Sequence, residues 1–299
     1  MSFIAGAGLT NIDLLYENMP RLPEPGEEIY TNSFSLQLGG GLPATLINTG
    51  RLGIPARIAT ELGSDMFSRF AEEKFRENGV EPLNLYNGDE IPVNITSAVI
   101  LEDDRSFISY GRAGGEVTDA QREAFYDMAH GAKICLMNPG GYTDVYRRLK
   151  AEGTVMVLDF GWDDELSFEK YGEYLSLADY YTPNKKEALK LTGAKSPEDA
   201  CRVLSGYFEK VIVKVDKDGC LGLDETGLFF CPSVKEFKGV DSTGAGDAFL
   251  AGFCYGLYHG MSFRDCIAAG NVTGGKAVTA VGALTAYVTE EELLELCKV

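Results

Sequence analysis

Between residues 133 and 215 the chain alternates regularly between short apolar runs and amphipathic stretches. The apolar runs are KICLMN at 133–138, TVMVLD at 154–159, DYYT at 179–182 and KVIVKV at 210–215. Apolar strands interleaved with helices form a parallel sheet with helices on both faces, because each crossover returns over the sheet. FIAGA at 3–7 and IPARIAT at 54–60 read as earlier strands of the same sheet. The second is followed by a helix in DMFSRFAEEKFRENG, with Ser64 and Asp65 in position to cap it. The expected class is α/β.

Two segments break the alternation. Residues 14–38 carry Pro20, Pro23 and Pro25 and then GEEIYTNSFSLQL, which alternates without a helical period. Residues 93–111 read as a hairpin, VNITSAVIL and SFISYG about a turn at EDDRS. Together these segments can form a small sheet apart from the main one. Two further short strands fall in 220–231. No internal repeat or low-complexity linker divides the chain, so one domain over 1–299 is expected.

At 299 residues and 45% hydrophobic, the chain can bury a large core. A formal net charge of −18 argues against nucleic acid or an anionic membrane as partner, since both favour a basic face. It leaves room for a phosphorylated ligand, which backbone N–H groups and a few cations can hold. No apolar run approaches the ~20 residues of a membrane span. MSFIAGAGLTNIDLLYENMP lacks the basic start of a secretory signal, so a cytoplasmic protein is expected. Seven scattered cysteines with no CxxC pair read as reduced core residues, and His130 and His259 alone make a histidine metal site or triad improbable.

Chemistry concentrates in DSTGAGDAFLAGFCYGLYHG at 241–260. Gly244, Ala245 and Gly246 lead into a helical pattern at Phe249, Phe253 and Leu257. The first N–H groups of such a helix lack partners and attract an anion. A carboxylate in that turn, Asp247, makes sense as a base that takes a proton from a hydroxyl while the N–H groups hold phosphoryl charge. The alternative is a helix-terminal residue in a glycine-rich connection. In TPNKKEALKL, Asn184 and Glu187 share one face of a helix start, suited to holding Mg²⁺ through water or simply to closing a capping box. Gly39, Gly40 and Gly41 run into a helical stretch in PATLINTGRLG and permit close approach of a ligand, or tight packing. Asp13 lies just beyond the first strand, as a polyol acceptor or a turn cap. Ala268, Ala269, Gly270, Gly274, Gly275 and Ala277 suit close packing of a later helix, roughly 262–281.

The order of a glycine triplet near 40, NxxE at 184–187 and DSTGAGD at 241–247 resembles the ribokinase-like (PfkB) family of sugar and nucleoside kinases, from Phe3 to about Val288. The resemblance implies a three-layer α/β/α domain with a mainly parallel central sheet and a small β-sheet lid, here about 14–38 and 93–112. It implies Asp247 as catalytic base and Gly244, Ala245 and Gly246 as the anion hole. Asn184 and Glu187 would organise Mg²⁺ and its waters. Lys214, Gly219 and Asn271 would lie along the ATP. Asp13, Gly39 and Gly40 would bind the acceptor's hydroxyls. A monovalent cation is a further possible cofactor, and lid strands that pair between subunits would make a homodimer.

The departures bear on the acceptor. Ala44 stands where the family has a sugar-gripping Asn, and Asp216 where its Thr-Leu-Gly strand end has Gly. Asp159-Phe160-Gly161-Trp162-Asp163 lacks the Arg of the family's Asp-x-Asn-x-Arg. Tyr110-Gly111-Arg112 is similar to the Tyr-x-Arg of 2-keto-3-deoxygluconate kinases, which would let Arg112 pair with a sugar-acid carboxylate. The expected activity is ATP-dependent phosphorylation of a hydroxyl, a primary one foremost, on a small sugar or derivative. A nucleoside kinase or a non-catalytic sugar-binding relative are the alternatives. A dinucleotide oxidoreductase is set aside for want of GxGxxG after the first strand.

Overall fold

The computed structural model describes residues 2–102, 104–112 and 115–297. Its first half runs β1 (Ile4–Ala7), β2 (Asn11–Glu17), β3 (Ser33–Leu38), α1 (Leu42–Arg51), β4 (Ala56–Thr60), α2 (Met66–Glu77), β5 (Val80–Asn84), β6 (Asn94–Ile100) and β7 (Arg105–Tyr110). Then come α3 (Asp119–Ala129), β8 (Ile134–Met137), α4 (Thr143–Ala151), β9 (Val155–Leu158), α5 (Phe168–Leu177), β10 (Tyr180–Tyr181), α6 (Lys185–Thr192) and α7 (Pro197–Leu204). The chain continues through β11 (Val211–Lys214), β12 (Gly219–Asp224), β13 (Gly227–Pro232), α8 (Ala245–His259), α9 (Phe263–Ala277) and α10 (Glu290–Cys297).

Six strands form an all-parallel sheet in the order β10-β9-β8-β1-β4-β5. Successive residues on a strand face opposite sides, and both sides here are apolar. Ile4, Ile134, Leu136 and Val157 pack with Leu46 of α1, Phe75 of α2, Leu250 of α8, Val272 of α9 and Leu293 of α10. Ala5, Cys135, Met137, Met156 and Leu158 pack with Phe125 of α3, Tyr146 of α4, Leu175 of α5, Leu191 of α6 and Leu204 of α7. This is the three-layer α/β/α arrangement. Beyond β10 a single parallel bridge, Asn184 with Lys214, leads on to an antiparallel three-stranded sheet of β11, β12 and β13. The apolar run at 210–215 thus extends the sheet but pairs antiparallel with its successor.

A separate four-stranded sheet has the order β3-β2-β6-β7, with β2 and β6 parallel and the outer pairs antiparallel. Within the hairpin turn at EDDRS, Asp103 lies outside the described residues. The first strand of this sheet starts at Asn11, so Asp13 sits inside a strand and not in a turn. The reason is pairing on both sides: Asp13 lies opposite Gln37 on β3 and Thr96 on β6. That register divides the sheet into two faces. Asp13, Gln37 and Arg105 lie on one, and Leu14, Leu36 and Ile108 on the other.

Local capping differs in detail from expectation. Asp65 alone caps α2, accepting from the Phe67 and Ser68 N–H groups. The small-residue helix α9 stops at Ala277. Glycines on both helices let α9 pack closely on α8: a Cβ at Gly252 of α8 would lie 2.5 Å from the Ala269 oxygen, and one at Gly270 of α9 would lie 2.7 Å from the Phe249 ring.

Candidate active site

The N-termini of α1 and α8 converge on one carboxylate. Gly244 caps α8 at φ 75°, a left-handed conformation that favours glycine. A Cβ there would lie 2.6 Å from the Ala283 Cα, so glycine is needed for space as well. Ala245, Gly246 and Asp247 form the first turn of α8, where backbone N–H groups have no partner within the helix. The Asp247 Oδ2 accepts a 2.9 Å hydrogen bond from the N–H of Gly41, the N-cap of α1. A Cβ at Gly40 would lie 3.0 Å from that same oxygen. Gly40 and Gly41 thus let the backbone close on the acid. The sequence names Gly41 within the glycine triplet but gives an acceptor-binding role only to Gly39 and Gly40; the place of Gly41 just before an apolar helix is the signal that its N–H is free of the helix.

Asp247 is pushed up to about 7, chiefly by withdrawal from water, with the Asp159 charge adding to it and the Gly41 N–H and Lys214 opposing. Part of its residue surface stays accessible, yet the packed protein beneath denies the charge most of its hydration. A carboxylate poised near neutrality can take up and release a proton at working pH.

Asp159, Asn184 and Lys214 lie at the C-terminal ends of three neighbouring strands, β9, β10 and β11. The Lys214 Nζ donates to Asp159 Oδ2 at 3.1 Å, and the Thr182 hydroxyl donates to the same oxygen at 3.1 Å. A Cβ at Gly246 would lie 3.5 Å from that ammonium, so Lys214 stands beside the start of α8. Burial pulls the Lys214 pKa down, but Asp159 and Glu187 outweigh it and hold the value above the ordinary one. Asp159, quoted in the sequence only for its strand-end motif, is a member of this cluster.

Asn184 caps α6 and closes a capping box with Glu187. The Asn184 N–H and Nδ2 donate to the two Glu187 oxygens at 2.8 and 2.7 Å, and the Glu187 N–H donates to Asn184 Oδ1 at 2.9 Å. Glu187 is buried, and its pKa is raised by that burial and by Asp159. The buried Tyr181 hydroxyl, close enough to Asp159 and Glu187 to feel their charge, has no hydrogen-bond partner among the described residues. Hard oxygen donors without a cage of three or more ligating side chains among the described residues suit Mg²⁺ held through water and phosphate oxygens.

A cavity of about 670 Å³ beside this cluster is lined by Asn184, Lys214, Gly219, Ala245, Gly246 and Asn271. Gly219 has φ 123°, and a Cβ there would lie 2.3 Å from the Cys231 oxygen. The Asn271 amide is already engaged: Nδ2 donates to the Cys231 and Pro232 carbonyls at 3.0 and 3.1 Å, and Oδ1 accepts from the Cys220 thiol at 3.1 Å. It shapes the wall and fastens β13 to α9. Asp216 has φ 54°, which explains why glycine suits this position and why aspartate, tolerant of left-handed backbone, can replace it.

Asp13 lies against Gly39, where a Cβ would come within 3.0 Å of both carboxylate oxygens. Burial raises its pKa, and no hydrogen bond to its carboxylate is found among the described residues. Arg112 is apart from the Asp247 cluster. It lines a different cavity of about 430 Å³ at the ends of β1, β4 and β8, paired with Glu61 and 5.2 Å from the Tyr86 ring centre. Its buried Nε has no hydrogen-bond partner among the described residues.

The model of the pfkB family carbohydrate kinases matches residues 1–290. The chain is 25% identical to the 2-dehydro-3-deoxygluconokinase of Bacillus subtilis, over 88% of this chain and 87% of that protein. It is 28% identical to the aminoimidazole riboside kinase of Salmonella typhimurium, over 88% of each. Among solved structures it resembles Arabidopsis thaliana ribokinase complexed with ribose and ATP, with a TM-score of 0.82, 22% identity and all of both chains covered. A putative ribokinase II from E. coli in complex with ATP and Mg²⁺ superposes with a TM-score of 0.79 at 20% identity, covering 100% of this chain and 99% of that one.

Proposed function

The chain belongs to the pfkB family of carbohydrate kinases, and on that premise we propose that it transfers the γ-phosphoryl group of ATP to a primary hydroxyl of a small sugar or sugar derivative, with Asp247 as base. The observation that carries this reading is the Asp247 carboxylate, raised to about 7 and seated between two helix N-termini. In the proposed step the acceptor O–H bond breaks and its proton passes to Asp247. The acceptor oxygen then bonds to the γ-phosphorus as the bond to the bridging oxygen of ADP breaks. The N–H groups of 244–246 would face the charge on the transferred group, that of Ala245 on leaving the Ser242 carbonyl to which it donates at 3.3 Å, and the Lys214 ammonium adds a fixed positive charge beside them. Mg²⁺ would neutralise phosphate charge when bound, held through water by Asn184 and Glu187.

Gly219 and Asn271 form walls for the nucleotide in this reading. Asp13, Gly39 and Gly40 receive the acceptor's hydroxyls, Asp13 because its carboxylate has no hydrogen-bond partner among the described residues. A sugar acid is a second reading, favoured by the B. subtilis relative; Arg112 would have to exchange its Glu61 partner for the substrate carboxylate. A panel of pentoses, hexoses, 2-dehydro-3-deoxygluconate and nucleosides, read by ADP release, tests the reading. Saturable turnover with a sugar supports it, and none with any acceptor refutes it. Replacing potassium by choline in that assay tests for a monovalent-cation requirement.

We also propose a homodimer through the small sheet. Its outer face exposes Phe34 at 56%, Ile108 at 76% and Tyr110 at 46%, an apolar surface suited to a second copy. Sedimentation of wild type and Ile108→Lys tests it: a dimer that the substitution dissociates is expected, and a monomeric wild type refutes the pairing. A cytoplasmic location belongs to the same reading. No helix among the described residues is long and apolar enough to cross a membrane.

A further inference from the structure

Arg105 opens β7, an edge strand of the small sheet, and its side chain crosses to the body of the protein. Its Nη1 donates to Asp241 Oδ1 at 2.9 Å and to the Thr243 hydroxyl oxygen at 2.8 Å. The Asp241 carboxylate is a hub. Its Oδ1 also accepts from the Thr243 N–H at 3.0 Å and from the Thr243 hydroxyl at 2.8 Å, while Oδ2 accepts from the Gly282 N–H at 3.0 Å. Gly282 precedes Ala283, the residue that abuts Gly244. One carboxylate therefore ties together an edge of the small sheet, the loop that ends in the α8 N-terminus and the loop that backs that N-terminus.

The opposite edge makes a matching contact. Gln37 of β3 accepts from the Thr285 hydroxyl at 3.2 Å, and a Cβ at Gly282 would lie 2.3 Å from its Oε1. Arg105–Asp241 is the one ion pair among the described residues that joins the small sheet to the 241–244 loop. The Asp241 side chain is 13% exposed and that of Arg105 43%, so the acceptor end of this charge-assisted bond is sheltered while the guanidinium end meets solvent.

We propose that Arg105 is a positioning residue, which couples closure of the small sheet to alignment of the α8 N-terminus through Asp241 and Thr243. This rests on the kinase reading for its consequence in turnover, but the coupling itself is independent of any chemistry. Arg105 acts through the loop; it sets the direction of the 244–246 N–H groups without taking part in the proton transfer. Both of its contacts come from a single nitrogen, so an ammonium can make them too.

Hydrogen exchange of the ligand-free full chain reads the coupling directly. Arg105→Ala is expected to speed exchange about tenfold, in line with loss of a charge-assisted hydrogen bond, and to do so together in β7 and in the amides of Thr243 and Gly282. Arg105→Lys is expected to restore most of the protection. Faster exchange in β7 with unchanged exchange at 243 and 282, or no change in either, overturns the coupling. In turnover, Arg105→Ala is expected to lower kcat about tenfold while the ATP dissociation constant stays within about twofold, with Lys rescuing kcat. A change in the ATP constant with kcat intact overturns the positioning role. A wild-type chain with no turnover on any acceptor counts against the kinase reading alone, because the exchange result still decides the coupling.

Discussion

If Asp247 takes the acceptor's proton, kcat/KM must follow the ionisation of its carboxylate. With a value of about 7, roughly 9% of the carboxyl is ionised at pH 6 and roughly 90% at pH 8, so kcat/KM should rise about tenfold over that range and level off above it. The perturbation that tests the cause is Lys214→Met. Lys214 is one of the two groups that hold the Asp247 value down against burial, and its loss should move the rising limb to higher pH while lowering the plateau. The assay is ADP release at acceptor concentrations well below KM, from pH 5.5 to 9. A profile flat between pH 6 and 8, or a limb that Lys214→Met moves to lower pH, would refute the electrostatic account. The same acid has a sign for stability. Its folded value lies above the ordinary 3.8, so the folded chain holds the proton more tightly than the unfolded one. Stability therefore falls as pH climbs from about 4 to about 7 and stays level above, by at most about 4 kcal/mol. Asp247→Asn should remove that loss, so its gain in chemical-denaturation stability over wild type should be larger at pH 8 than at pH 4; an equal difference at both contradicts the pKa.

The remaining predictions concern the frame around the acid. Gly244→Ala introduces a Cβ 2.6 Å from the Ala283 Cα at φ 75°, and should cost about 2–4 kcal/mol in urea unfolding together with most of the turnover; an unchanged midpoint shows that the loop yields freely. Glu187→Gln replaces a carboxylate that accepts from both the Asn184 N–H and Nδ2, and should raise the Mg²⁺ concentration for half-maximal rate about tenfold; an unchanged Mg²⁺ titration removes Glu187 from that role.

The main sheet was legible because its strands are buried on both faces, so apolar runs such as 154–159 announce themselves without help from neighbours. The small sheet was harder to delimit. Asp13 looked like a turn residue because the seven-residue strand around it mixes Asn, Asp and Tyr with its apolar residues, and only pairing with β3 and β6 makes it a strand. The acid at 247 and the pair at 184 and 187 were legible from local spacing, since a glycine-rich helix start and an NxxE cap are local devices. The links between them are not local. Gly41 meets Asp247 across 206 positions, Lys214 meets Asp159 across 55, and Arg105 meets Asp241 across 136. No window of sequence holds both ends of such a contact. Asn271 illustrates the converse, a residue whose position was anticipated but whose amide turns out to be occupied by the carbonyls of 231 and 232.

The most direct test of the account is the turnover of Asp247→Asn beside wild type, with the acceptor that the panel identifies. The substitution keeps an oxygen that can accept from the Gly41 N–H but removes the basic carboxylate. The account predicts a kcat lower by at least about a thousandfold, with ATP and acceptor still bound and the fold intact by circular dichroism. Near-normal kcat in that variant would contradict the assignment of Asp247 as the base.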